Sequence, residues 1–138
     1  MSDKVYGIEI TSRTPDSLLP YAIYVNYYSK ENTEFAGYSN YISKNSKNIL
    51  KVKDNKYGTV TKTILQGRKA KTFTRETFVY LPPEKPSAKK YYLKEKLIVI
   101  NAKEGFFVLK YSAPKEQYKT YLKTFQKVAD SLKSPKFK

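Results

Sequence analysis

The patterned chemistry of this chain is carried by lysine. Lys115, Lys119, Lys123 and Lys127 recur every four residues, a spacing that stacks four ammonium groups along one ridge of an α-helix. A second basic stretch gathers Arg68, Lys69, Lys71 and Arg75 around Phe73. If that stretch is a strand, Lys69, Lys71, Phe73 and Arg75 share a face, because side chains alternate with period two. Both patterns suit anion binding. Like charges at helical spacing repel by about 0.2–0.5 kcal/mol per pair, which a negative partner relieves. Basic residues flanking an aromatic ring on a strand are what a single-stranded nucleic-acid platform uses. Each pattern also has a plainer explanation, as the solvated face of an amphipathic helix or a half-exposed strand in a lysine-rich protein. All but three of the 27 basic residues are lysine, whereas arginine is the bidentate reader of phosphate and guanine.

Catalysis has little to work with. The chain has no His, no Cys and no Trp, so neither imidazole nor thiolate is available as base, nucleophile or zinc ligand. A Ser–Lys dyad is not recognisable from spacing alone. Glu31 and Glu34 sit one helical turn apart, which suits first-turn acids favoured by a helix dipole better than a glycosidase pair. The five glycines are scattered and form no phosphate loop, and no carboxylate run has calcium-loop spacing. Tyr24 and Asn26 could line a pocket, without standing above the background. The expectation is a non-enzyme with no catalytic, cofactor or metal residues.

The elements that must carry the lysines follow from periodicity. At 138 residues with 40% hydrophobic content, the chain suits a single domain spanning 1–138 with a real core. Residues 5–10, 21–28, 59–65, 69–81, 91–100 and 106–111 alternate or are rich in β-branched and aromatic side chains, as strands are. In 21–28, Ala22, Tyr24 and Asn26 fall on one face and Ile23, Val25 and Tyr27 on the other. Gln66-Gly67-Arg68 bends the chain, and the prolines at 15–20 and 82–87 mark turns. A helix is expected over 31–49, capped by Ser29 or Asn32, with Phe35, Tyr38, Ile42 and Ile49 as its stripe. The segment 51–58 reads as a polar link. The clearest element is a C-terminal amphipathic helix over 115–132: Tyr118, Leu122, Phe125, Ala129 and Leu132 form its apolar face, widened by Tyr121 and Val128. The lysine ridge lies opposite. The class is therefore α+β, with a central antiparallel sheet of about six strands flanked by helices.

The last forty residues carry a family resemblance. The run KEKLIVINAKEG, followed by FFVLKYSAPKEQYKTYLKTFQKVADSLK, resembles the C-terminal part of the PsbP-like family. There an aromatic and apolar strand leads through an Ala-Pro break into a helix with a central Phe. Phe107, Tyr111, Tyr118, Phe125, Ser131 and Leu132 stand at those places, and ILQGRKAKTFTRE is similar to the family's hairpin, with Gly67 and Ala70 in register. The tryptophan-containing opening typical of the family is absent. The resemblance implies the Mog1/PsbP-like α-β-α sandwich and a non-enzymatic binding or accessory role. Members of that group support photosystem II, bind a small GTPase, or are exported bacterial proteins. The metal-linked histidines proposed for photosynthetic members have no counterpart in this chain.

Two functional expectations follow. The first is a monomeric, exported PsbP-like binding protein with an unidentified protein or small-ligand partner. Its leader would be absent from this sequence, since 1–4 has no apolar h-region; a cytoplasmic protein is the other possibility. The second is a basic module, driven by the net charge of +15, that binds nucleic acid or an anionic membrane surface electrostatically. It would use Arg68, Lys69, Lys71, Arg75, Lys115, Lys119, Lys123 and Lys127. No apolar stretch approaches the ~20 residues of a spanning helix.

Overall fold

Two runs break the alternation expected of a half-wet strand: residues 97–100 (LIVI) and 106–109 (FFVL) are apolar at every position. Strands of that kind are buried on both faces, and these two lie at the middle of the sheet. The computed structural model describes residues 5–11, 21–81 and 86–132. Seven antiparallel strands form one sheet: β1 (Val5–Thr11), β2 (Ala22–Ser29), β3 (Lys56–Tyr57), β4 (Thr61–Leu65), β5 (Arg68–Leu81), β6 (Lys89–Ala102) and β7 (Gly105–Pro114). The order is β1-β2-β7-β6-β5-β3, and β4 pairs with β5 as well. Helix α1 (Tyr38–Asn45) covers one face and α2 (Tyr118–Ser131) the other. The fold is α+β, as the periodicity implies. The two-residue β3 is the strand that sequence pattern does not reveal.

The pleat sorts side chains between two cores. Ile23, Val25, Tyr27, Ile98, Ile100, Phe107, Leu109 and Tyr111 pack beneath α2 with Tyr118, Phe125 and Ala129. Tyr28, Phe73, Leu97, Val99, Phe106 and Val108 pack beneath α1 with Tyr41 and Ile42. The expected stripe of the C-terminal helix is all there, because Tyr121, Leu122, Val128 and Leu132 flank the first cluster. The α-helix begins only at Tyr118. Residues Lys115–Gln117 form a 3-10 turn after Pro114, so Lys115 stands outside the α-helical ridge. The Tyr111 hydroxyl donates to the Tyr118 carbonyl at 2.7 Å, pinning strand to helix. At the other end the Gln66 side-chain amide donates to the carbonyls of Ala129 and Asp130 in the last turn of the helix, where carbonyls run out of intrahelical donors; the Ala129 carbonyl also accepts from the Leu132 amide at 3.3 Å.

The first helix is much shorter than the expected 31–49. The Asn32 side-chain oxygen accepts from the amides of Glu34 and Phe35, and Ser29 Oγ accepts from Glu31 N. These local bonds make turns that compete with helix, so Glu31 and Glu34 lie outside α1 and take no part in its dipole. Phe35 and Tyr38 still pack beside Ile42, but Ile49 leaves the stripe and is 57% exposed. Two hairpin turns demand special backbone. Gln66 and Gly67 have φ of 51° and 76°, as a two-residue type I′ hairpin loop requires. Gly105 has φ 155°, and a Cβ there would run into the Tyr28 carbonyl. The proline turn at 15–20 and the tip 82–85 of the proline loop lie outside the described residues.

Phe125→Ala empties a site that is fully buried between α2 and the sheet and is expected to cost about 3–5 kcal/mol. Tyr111→Phe removes the hydrogen bond to the Tyr118 carbonyl and should cost about 1 kcal/mol. Urea unfolding of the two variants measures both.

Candidate anion-binding groove

The type I′ turn at Gln66–Gly67 fixes the register of β4 on β5: Leu65 opposes Arg68, Ile64 opposes Lys69, and Lys62 opposes Lys71. Alternation then places Lys62, Ile64, Lys69 and Lys71 on the face that carries α1. Asn101, one residue past the Ile100–Ala70 pair, joins them from β6, and Tyr38 comes from the first turn of α1. These side chains, with Thr63 and Ala70, line a groove of about 730 Å³. None of the described residues that line it is acidic. Lys62 and Lys71 face each other across the ladder, where like charges destabilise a strand pair. The Lys71 ammonium lies 5.8 Å from the centroid of the Tyr38 ring, and Ile64 is 71% exposed at the groove's rim. The result is three cationic tips beside an apolar and aromatic wall.

The residues singled out from sequence are divided rather than gathered. Lys69 and Lys71 belong to the groove. Arg68, opposite Leu65, falls on the α2 side of the sheet. Phe73 is buried beneath α1 and offers no ring for a base to stack on. Arg75 is committed to the fold: its Nε donates to Glu95 Oε1 at 2.7 Å, and a terminal nitrogen reaches the Asn45 carbonyl at 3.2 Å and Oδ1 at 3.3 Å. Lys110 Nζ completes this cluster 3.7 Å from Glu95 Oε2, lying 4.7 Å from the Tyr24 ring centroid. Lys119, Lys123 and Lys127 are exposed on α2, across the sheet from the groove. Lys115 pairs with Glu76 at 2.7 Å.

A second hollow, of about 160 Å³, contains Asp54, Lys56, Glu76, Tyr92 and Lys115, and its charges are largely neutralised. The hydrogen bond from Lys115 holds the Glu76 carboxyl below the usual glutamate range, and Lys90 does the same for Asp54. The stability that the Glu76 pair adds is complete above the ordinary glutamate pKa and is lost as pH falls through the lowered one. Burial pushes the Tyr41 and Tyr111 phenols far up, the wrong direction for a base or nucleophile near neutrality. Among the described residues no cluster of three or more Asp, Glu, His or Cys could hold a metal ion.

Sequence reasoning missed Lys62, Tyr38, Ile64 and Asn101. The signal for Lys62 was present: once Gln66–Gly67 is taken as a two-residue loop, the opposition of Lys62 to Lys71 follows by counting. Tyr38 and Asn101 come from elements distant in sequence and carry no such signal.

No family model matches the chain, and no curated protein matches it. Among solved structures it is similar to the crystal structure of PA94, a protein of unknown function from Pseudomonas aeruginosa. The TM-score is 0.58 at 8% identity, covering 94% of this chain and 82% of that one. At that identity the likeness extends to the fold alone.

The Glu95 cluster and the groove should respond unequally to mutation. Glu95→Ala leaves Arg75 and Lys110 half-buried without their shared counter-charge and is expected to destabilise by about 3 kcal/mol. Lys62→Gln should change stability by no more than about 0.5 kcal/mol. Thermal or urea unfolding at neutral pH distinguishes them.

Proposed function

We propose that this chain is a non-enzymatic binding module of the PsbP-like kind that seats a phosphate-bearing anion in the groove between α1 and the β4–β5 hairpin. The observation that carries this reading is the pairing of Lys62 with Lys71, beside Lys69. Three ammonium groups converge there with no acidic residue among the described lining residues to neutralise them. Lysine serves phosphate as a hydrated point charge and needs no bidentate geometry. The groove's volume falls in the small-ligand range of roughly 300–1,000 Å³, and Tyr38 and Ile64 give the body of an organic phosphate something to rest on.

Other features agree with binding rather than turnover. The chain contains no imidazole or thiolate, and its deeply buried phenols are pushed away from reactivity. We take it to work as a monomer and, as the PsbP-like resemblance implies, as an exported protein. No helix among the described residues is long and apolar enough to cross a membrane.

Calorimetric titration with inorganic pyrophosphate and with a mononucleotide, at about physiological salt, tests the reading. Wild-type protein should bind at least one of them. Replacing Lys62, Lys69 and Lys71 together by Gln should weaken binding about tenfold or more. Replacing Lys119, Lys123 and Lys127 should leave it within about twofold, as expected for charges screened beyond a Debye length. Equal losses in the two triple variants, or no binding by the wild type, would refute the groove as the ligand site.

A further inference from the structure

The most exposed large apolar side chain among the described residues is Leu50, 85% accessible, and its neighbour Ile49 is 57% accessible. They form the tip of the loop between α1 and β3. This loop is not slack. The Asn48 side chain grips Val52 from both sides, its amide donating to the Val52 carbonyl and its oxygen accepting from the Val52 amide, each at 2.8 Å. The Lys51 amide closes the turn onto the Asn48 carbonyl at 3.1 Å, and Lys51 itself adopts φ 52°. A non-glycine residue in that region is uncommon. The sequence thus spends a side-chain clasp on holding two adjacent apolar residues out in water.

The charge flanking the tip is predominantly positive. Lys44, Lys47, Lys51 and Lys53, all exposed, flank the tip in sequence, and the Lys44 ammonium lies 5.8 Å from the centroid of the Phe35 ring. Asp54, the acid adjoining the tip, is engaged by Lys90 at 2.6 Å. Exposed apolar groups mark a protein partner or a membrane, and the charge pattern favours the membrane. Apolar residues that enter the headgroup region, ringed by lysines that meet anionic lipid, are the two contributions that hold a protein on such a surface. Lysine suits this role because a diffuse field of headgroups requires no fixed fork geometry. The net charge of +15 adds a long-range pull toward the same surface.

We propose that the 47–53 loop is a membrane-docking device: Ile49 and Leu50 insert among the headgroups of an anionic bilayer while Lys44, Lys47, Lys51 and Lys53 contact lipid phosphates. The protein docks peripherally, and the site is separate from the lysine groove.

The chain has no tryptophan, so Leu50→Trp supplies a single reporter at a position exposed enough to accept it. Vesicles of phosphatidylglycerol with phosphatidylcholine, added at about physiological salt, should shift its emission to the blue. Vesicles of phosphatidylcholine alone should not. In co-sedimentation with the anionic vesicles, Ile49→Ser with Leu50→Ser should lower partitioning about tenfold or more relative to wild type, with an unchanged unfolding midpoint. The Lys62, Lys69 and Lys71 to Gln variant should still sediment, which keeps this test apart from that of the groove. Unchanged Trp emission at saturating anionic lipid overturns the proposal. So does sedimentation of the Ser variant equal to wild type, which would mean that charge alone, or a protein partner for the tip, accounts for this surface.

Discussion

Everything in this fold depends on burying the middle of the β6–β7 hairpin on both faces at once. Residues 97–100 and 106–109 offer no polar side to water, so the sheet cannot be covered by a single helix. At roughly 25 cal/mol per Å² of apolar surface removed from water, leaving either side open would forfeit much of the stability of a domain this size. Helix α2 meets that need on one face with a full amphipathic stripe. On the other face the short α1 manages it with Tyr41 and Ile42, helped by Phe35 and Tyr38 from the turn before it and at its start. Tyr28, Tyr41 and Phe106 form a packed aromatic set there, with Tyr28 stacked on Phe106 at 4.9 Å between centroids.

That arrangement decides where charge can go. With the centre of the sheet dry, lysines collect at the β4–β5 edge, on the outer face of α2 and in the loop after α1. The partial coverage by α1 is what opens the groove. A helix of only eight residues leaves the β4–β5 end of its face uncovered, and Lys62, Lys69 and Lys71 stand at that end. Among the described residues the charged cluster drawn inward, Arg75 with Glu95, Lys110 and Asn45, lies at the opposite end of α1. There it fixes how the helix ends on the sheet, at the desolvation cost that buried ion pairs carry.

Legibility followed the range of the interactions. The two faces of β2 and the stripe of α2 came directly from periodicity, because each is set by residues within a few positions of one another. The length of α1 did not. Asn32 bonding to the amides at 34 and 35, and Asn48 bonding to Val52, are local side-chain competitors that a helical stripe of Phe35, Tyr38, Ile42 and Ile49 conceals. The role of Arg75 was hidden for another reason: Glu95 lies across a strand pair whose register depends on a long, proline-rich connection. Lys69 and Lys71 were recognised as basic strand residues. Their partner Lys62 becomes visible only when the hairpin turn is used to count register.

Amide chemical-shift mapping of the labelled protein during a pyrophosphate titration separates an anion held by one groove from one attracted by the general positive field. Saturable shifts confined to Tyr38, residues 62–71 and Asn101 are expected, with the amides of Lys119, Lys123 and Lys127 unmoved. Shifts that grow without saturation, and that follow exposed lysines over both faces of the sheet, would contradict the groove as the site.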